Sequence, residues 1–167
     1  MVLEYSQSLR DLAHRALMGA RKPYTPEQLA EIPAILATKA SYFYGVDLND
    51  RELLKDVFVA EGFDTYWGGG QGYTDPDDQI DQNLFLCDNA KMVPMHFGHN
   101  QVVNFVDDTH VQLVTRMNDY HTYCADDYNY SGFGLYVDDL VKCEDGKWRI
   151  QTLRLDYGVV LGSLRFE

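Results

Sequence analysis

The last 70 residues restrict the fold of this chain more than any other stretch. Four segments there, at about 95–106, 109–121, 132–143 and 147–157, alternate apolar and polar residues with the period that lays one face of a strand on a core. Val106-Asp107-Asp108-Thr109 and Glu144-Asp145-Gly146-Lys147 separate the outer pairs, and the second holds the Asp-Gly signal of a hairpin turn. Hairpins make neighbouring strands antiparallel. No strand-helix-strand alternation accompanies them, so a parallel doubly wound sheet is not expected.

The first 60 residues read as helix. Leu9, Leu12, Ala13, Ala16 and Leu17 recur at helical spacing before Gly19. Thr25-Pro26-Glu27-Gln28 is a second start, with a Thr cap, a proline at the first helical position and Gln three residues after the cap. Pro33 is expected to kink or restart that helix. From Ile32 onward, Leu36, Ala40 and Phe43 form an apolar stripe that runs towards Gly45, and Arg51 to Phe58 reads as another short helix. Residues 63–67 suit a first strand, and Gly68 through Asn83 reads as a long polar loop. The glycines of that loop lack dinucleotide-binding spacing. Its acidic run lacks the glycine and glutamate of a calcium loop, because Ile80 and Leu86 stand at those places. Helices first and strands after, with no repeat and no linker, predict one α+β domain over residues 1–167.

Composition narrows the function classes. With 46% hydrophobic and 24% charged residues the chain has a globular make-up and the length to bury a core. Acidic residues outnumber basic ones 26 to 14, for a net charge of −12. Such a surface has no cationic cluster to displace counterions from nucleic acid or to hold an anionic membrane. No apolar run approaches the ~20 residues a membrane span needs, and the N-terminus lacks the basic head and apolar stretch of a signal peptide. Cys87, Cys124 and Cys143 are odd in number and dispersed, which reads as isolated thiols in a reducing, cytoplasmic compartment. Aromatic residues reach 13%, including 12 tyrosines, and suit an apolar pocket for a small molecule with phenolic hydroxyls inside.

Three polar clusters interrupt the apolar faces. Asp47 lies four residues beyond Phe43 and eleven beyond Leu36, in line with the stripe of its helix. Either the helix has ended and Asp47 is solvated, or a buried carboxylate there needs a partner. On the strand from Thr109, Val111, Leu113, Thr115 and Met117 share one face, and the same parity reaches Asp119 and His121. That end either enters solvent or sets two ionisable groups against the interior. His96 and His99 are three positions apart and face opposite sides of a regular strand, unless a bulge at Gly98 changes the parity. Periodicity alone does not say which of the two faces inward.

The layout resembles the SnoaL-like group of the nuclear transport factor 2-like superfamily. The resemblance is carried by Tyr42-Phe43-Tyr44-Gly45-Val46-Asp47, by Met95-His96-Phe97-Gly98-His99, by the Asp119/His121 strand end, and by Asp139-Leu140-Val141 to Trp148-Arg149-Ile150. It covers about residues 28–157, with residues 1–24 as an extra N-terminal helix. It implies a cone in which a curved antiparallel sheet wraps around helices. Family dehydratases and dehydrochlorinases, such as scytalone dehydratase and bile acid 7α-dehydratase, pair a histidine at the place of His96 with an aspartate at that of Asp47. In bile acid dehydratases a tyrosine and a second aspartate match Tyr42 and Asp119; in scytalone dehydratase a second histidine matches His121, and a tyrosine on the first strand corresponds to Tyr66. Two places depart from these relatives: Val137 replaces an asparagine, and Tyr157 stands where bile acid dehydratases have an arginine.

The resemblance therefore implies a lyase that needs no cofactor and no metal. His96 would act as base, Asp47 would fix its tautomer, and Tyr42, Asp119 and His121 would assist. Tyr66, Phe43, Met117 and His99 would contact a small-molecule substrate. A homo-oligomer, dimer or trimer, would bury sheet faces that the chain's own helices leave open. A non-catalytic binding or accessory module, or an isomerase, epoxide hydrolase or cyclase, is the alternative on the same fold.

Overall fold

Six strands form one sheet, in the order β2-β1-β6-β5-β4-β3, in a computed structural model that describes residues 1–68, 70–89, 91–123 and 128–162. The strands are β1 (Asp64–Trp67), β2 (Gly70–Gln71), β3 (Met92–Phe105), β4 (His110–Tyr123), β5 (Tyr128–Lys142) and β6 (Trp148–Leu161). Consecutive pairs from β3 to β6 are antiparallel, as the hairpin signals require, and only the short β1 runs parallel to its neighbour β6. The register shifts between His99 and Val102, Phe133 and Gly134, and Asp139 and Leu140. Such bulges bend long strands, and the sheet is curved.

Helix α1 (Gln7–Gly19) packs Leu9, Ala13 and Ala16 against Val114, Leu135 and Val137 on one sheet face. Helix α2 (Pro26–Asp47) fills the other, where Ile35, Tyr42, Phe43 and Val46 meet Leu113, Met117, Tyr136 and Leu155. Its start is a complete capping box: Thr25 accepts from the Gln28 N–H at 3.2 Å, and Gln28 accepts from the Thr25 N–H at 3.1 Å. Pro33 does not restart the helix. One helix runs through it, and the carbonyl that loses its donor belongs to Leu29, an exposed residue where water can substitute.

Helix α3 (Arg51–Val57) follows, capped by Asp50, whose carboxylate accepts from the Leu53 N–H at 3.0 Å. The stretch expected as a long polar loop contains β2 and a further helix, α4 (Pro76–Asn89). Asp75 accepts from the Asp77 N–H at 2.8 Å, Pro76 opens the helix, and Ile80 and Leu84 bury one turn apart. The acidic first turn, Asp77 and Asp78, suits the positive end of a helix. Cys124 lies outside the described residues; Cys87 and Cys143 are free thiols. Among the described residues no helix is long and apolar enough to cross a membrane.

One ion pair sits inside this core. Lys39 on α2 and Asp138 on β5 are both fully buried, 2.8 Å apart, in a charge contact without the geometry of a directed hydrogen bond. The ammonium lies 3.3 Å from the ring centre of Tyr136 and within 5 Å of Tyr42 and Phe43. Burial lowers the Lys39 pKa to about 8 against the pull of Asp138, and burial raises that of Asp138. Breaking such a pair strands one buried charge, whereas replacing both partners by apolar groups removes the desolvation cost. Lys39→Met is expected to lose about 3–5 kcal/mol of stability in urea unfolding, and Lys39→Met with Asp138→Leu to recover most of it. Equal losses in the single and double variants would contradict this account.

Candidate active site

Asp47 ends α2, and its carboxylate grips β3 twice. Oδ2 accepts the backbone N–H of His96 at 2.9 Å, and Oδ1 lies 2.6 Å from His96 Nδ1. An ionised carboxylate can only accept, so Nδ1 carries a proton, and in the neutral imidazole Nε2 is the nitrogen that keeps a lone pair. Phe43, one turn earlier on the same helix face, stacks on the ring at 5.6 Å and 3°. The His96 and Asp47 side chains are only 9% and 18% exposed. A carboxylate at a helix C-terminus opposes the helix dipole, at about 0.3–1 kcal/mol. The last turn of α2 has no basic residue to relieve it, and the two charge-assisted hydrogen bonds from His96 offset that cost.

Sheet register extends the site to the next strands. His96 faces Asp119 on β4, and Asp119 faces Gly132 on β5. Asp119 is fully buried; Oδ1 accepts the Gly132 N–H at 2.7 Å and Oδ2 the Tyr157 hydroxyl at 2.5 Å. Gly132 makes this possible, because a Cβ there would lie 2.4 Å from Asp119 Oδ1 and 2.2 Å from the Tyr157 ring. Burial pushes the Asp119 carboxyl above the ordinary carboxylate range, and the Tyr157 hydrogen bond works the other way.

His121, two residues further on the same face, sets its Nδ1 against the Tyr130 hydroxyl, with its ring 5.2 Å from that of His96. Burial, and then the neighbouring His96, depress its pKa to about 3, so this imidazole is neutral at physiological pH. Its Nε2 is buried without a hydrogen-bond partner. His96, Asp119 and His121 each offer one donor atom within 4.8 Å of the others, a set of the type that holds divalent transition metals.

His96, Asp47, Phe43, Asp119 and His121 thus come together. Met117 is the next residue inward on β4 and faces Gly98 across the register, so it belongs to the apolar wall behind the pair. Tyr42 is buried beside it, hydrogen-bonded to Tyr136, and burial raises the pKa of both phenols. Two residues lie elsewhere. His99 is exposed on the opposite face and bonds Asn118 at 2.7 Å, because the strand stays regular from His96 to His99 and the bulge comes after it. Tyr66 also points away. Its neighbours Thr65 and Trp67 turn into the core, leaving Tyr66 under the Arg154 guanidinium at 5.5 Å in a cleft with Ser6, Leu9 and Asp156. That cleft and another between α2 and α3 are lined by none of the paired residues, so the dyad is not at the base of either.

Three participants were not assigned to the site from sequence. Tyr157 follows Leu153 and Leu155 at the inward parity of β6, a signal that was present. Tyr130 lies two residues before the segment read as the third strand, and Gly132 gives no periodic signal at all.

The fold is shared with solved structures of low identity. A scytalone dehydratase-like protein of Novosphingobium aromaticivorans is 22% identical, with a TM-score of 0.77 over 86% of this chain and 94% of that one. Hexachlorocyclohexane dehydrochlorinase LinA type 3 of Novosphingobium barchaimii is 16% identical, with a TM-score of 0.72 over 84% of this chain and 97% of that one. A protein of Nostoc punctiforme with a cystatin-like fold is 14% identical, with a TM-score of 0.58 over 81% of this chain and 95% of that one. A search of curated proteins finds no significant match. Residues 27–154 match the profile of the SnoaL-like domain. The architecture is that of the nuclear transport factor 2-like superfamily, and within it the chain belongs to the SnoaL-like domain family.

Proposed function

We propose that the chain is a cofactor-independent lyase that eliminates water from a small apolar molecule of polyketide or steroid type. The observation that carries this reading is the double grip of Asp47 on His96, which leaves Nε2 as a base among buried acid groups. The fold relatives named for dehydration and dehydrochlorination support the same class of chemistry.

Elimination beside an acidic C–H needs a base for that proton and an acid for the leaving oxygen. His96 Nε2 takes the proton, and Asp47 stabilises the imidazolium that forms. The departing hydroxide takes a proton from the Asp119 carboxyl, which the Tyr157 hydroxyl orients, and leaves as water. Proton return from the imidazolium to Asp119, its cross-strand neighbour, restores both groups. The aromatic surroundings of Phe43, Tyr42 and Tyr136 keep water out and strengthen each of these interactions.

A homo-oligomer belongs to the reading. Val93, Met95, Phe97, Tyr120 and Phe133 are exposed large apolar or aromatic side chains, contributed by three adjacent strands. A reducing, cytoplasmic setting is consistent with the free thiols of Cys87 and Cys143. Light scattering at micromolar concentration is expected to give a dimer or trimer; a monomer alone would remove that part.

The test is a screen of β-hydroxy carbonyl and sterol-like compounds for water loss, followed by ultraviolet absorbance. With a turned-over compound, His96→Ala is expected to lower the rate ~10²–10⁴-fold while ligand affinity stays near that of the unaltered protein. Asp47→Asn keeps the shape, loses the charge that holds the imidazolium, and is expected to lower kcat without a matching rise in KM. Turnover that survives His96→Ala undiminished would refute the base. Effects of both changes on affinity alone, with no chemistry in any compound, would favour a binding module.

A further inference from the structure

We propose that His96, Asp119 and His121 also form a binding site for one divalent transition-metal ion such as Zn²⁺. Two imidazoles and a carboxylate are the donor types that zinc and its neighbours prefer, and their donor atoms lie within 4.8 Å of one another. A tetrahedral ion with bonds of ~2.0–2.1 Å sets its ligands roughly 3.3 Å apart, so side-chain rotations that shorten each gap by at most about 1.5 Å complete the set.

Two further features distinguish this cluster from a chance grouping. His121 is 6% exposed and its Nε2 has no hydrogen-bond partner, so a buried lone pair or N–H stands unsatisfied within the cluster. Each donor is also held from behind: His96 Nδ1 by Asp47, His121 Nδ1 by Tyr130, and Asp119 by Gly132 N–H and Tyr157 O–H. An acceptor behind a histidine ligand fixes its tautomer and raises its basicity, hydrogen bonds donated to a ligating carboxylate fix its orientation, and loss of either costs metal affinity. Each Asp119 oxygen accepts one hydrogen bond and keeps a second lone pair. Three protein ligands leave one position open, as in sites that exchange water or substrate.

The ion and the elimination chemistry exclude each other, because both use the Nε2 lone pair of His96. The metal proposal does not rest on the lyase reading, and its readout needs no substrate. Metal-stripped protein is titrated with Co²⁺, followed by visible absorption, and with Zn²⁺ by calorimetry. The expected result is one ion per chain, with cobalt bands of a four- or five-coordinate nitrogen-ligated site that Zn²⁺ displaces. His121→Ala and the near-isosteric Asp119→Asn are expected to abolish the bands, with folding checked by near-ultraviolet circular dichroism. Asp47→Asn and Tyr157→Phe leave the three ligands in place and are expected to weaken binding ~10–100-fold. No bands in the unaltered protein, or bands that persist in folded Asp119→Asn and His121→Ala, would overturn the assignment. Failure of the lyase screen with intact cobalt binding would remove the elimination reading and leave this one standing.

Discussion

A carboxylate placed where a helix least tolerates one organises the centre of this protein. Asp47 stands at the negative end of α2, with no basic residue in that turn, and finds both of its partners on β3. Local helix energetics would favour a lysine there. The two hydrogen bonds tie the end of α2 to β3, the strand at one end of the sheet, and they orient His96 in the same act. A residue that violates its local rule and is held by tertiary contacts is the pattern expected of a functional position.

The rest of the site follows from strand register. Once β3 and β4 pair with His96 opposite Asp119, the inward parity of β4 brings His121 in as well, and pairing with β5 places Gly132 beneath the Asp119 carboxylate. Two antiparallel pairings therefore assemble groups from three strands without any loop. The buried Lys39–Asp138 pair adds a second polar station deeper in the core, one helical turn from Phe43. The two stations are separated by the rings of Tyr42, Phe43 and Tyr136, so the interior is a column of aromatic rings between charged groups. Such a column is costly to desolvate, and each polar group in it needs a defined partner.

The sequence made the antiparallel segments, the capping box at Thr25 and the Asp119/His121 face legible, because each rests on a short-range rule: period two, cap spacing, strand parity. Asp47 was readable as a candidate from its place on the stripe, and its pairing with His96 came from the family resemblance rather than from spacing. What stayed hidden depends on three-dimensional pairing. Lys39 reads as an exposed helix residue until β5 supplies Asp138, and a lysine that is fully buried contradicts the usual polarity pattern. Helix α4 was hidden by its acidic composition, since among its described residues Ile80 and Leu84 are the apolar side chains that bury. Tyr66 came from the family resemblance alone, and in a strand of four residues a single step along the chain exchanges the core face, where Thr65 and Trp67 sit, for the outer one.

The central claim is that Asp47 sets the state of His96. Long-range nitrogen–proton correlation of the histidine side chains reads this directly, because protonated and unprotonated ring nitrogens differ widely in chemical shift. The account predicts that neutral His96 carries its proton on Nδ1 and leaves Nε2 bare, and that Asp47→Ala releases it to a mixture of tautomers. A His96 protonated on Nε2 in the unaltered protein, or a tautomer indifferent to Asp47→Ala, would contradict it.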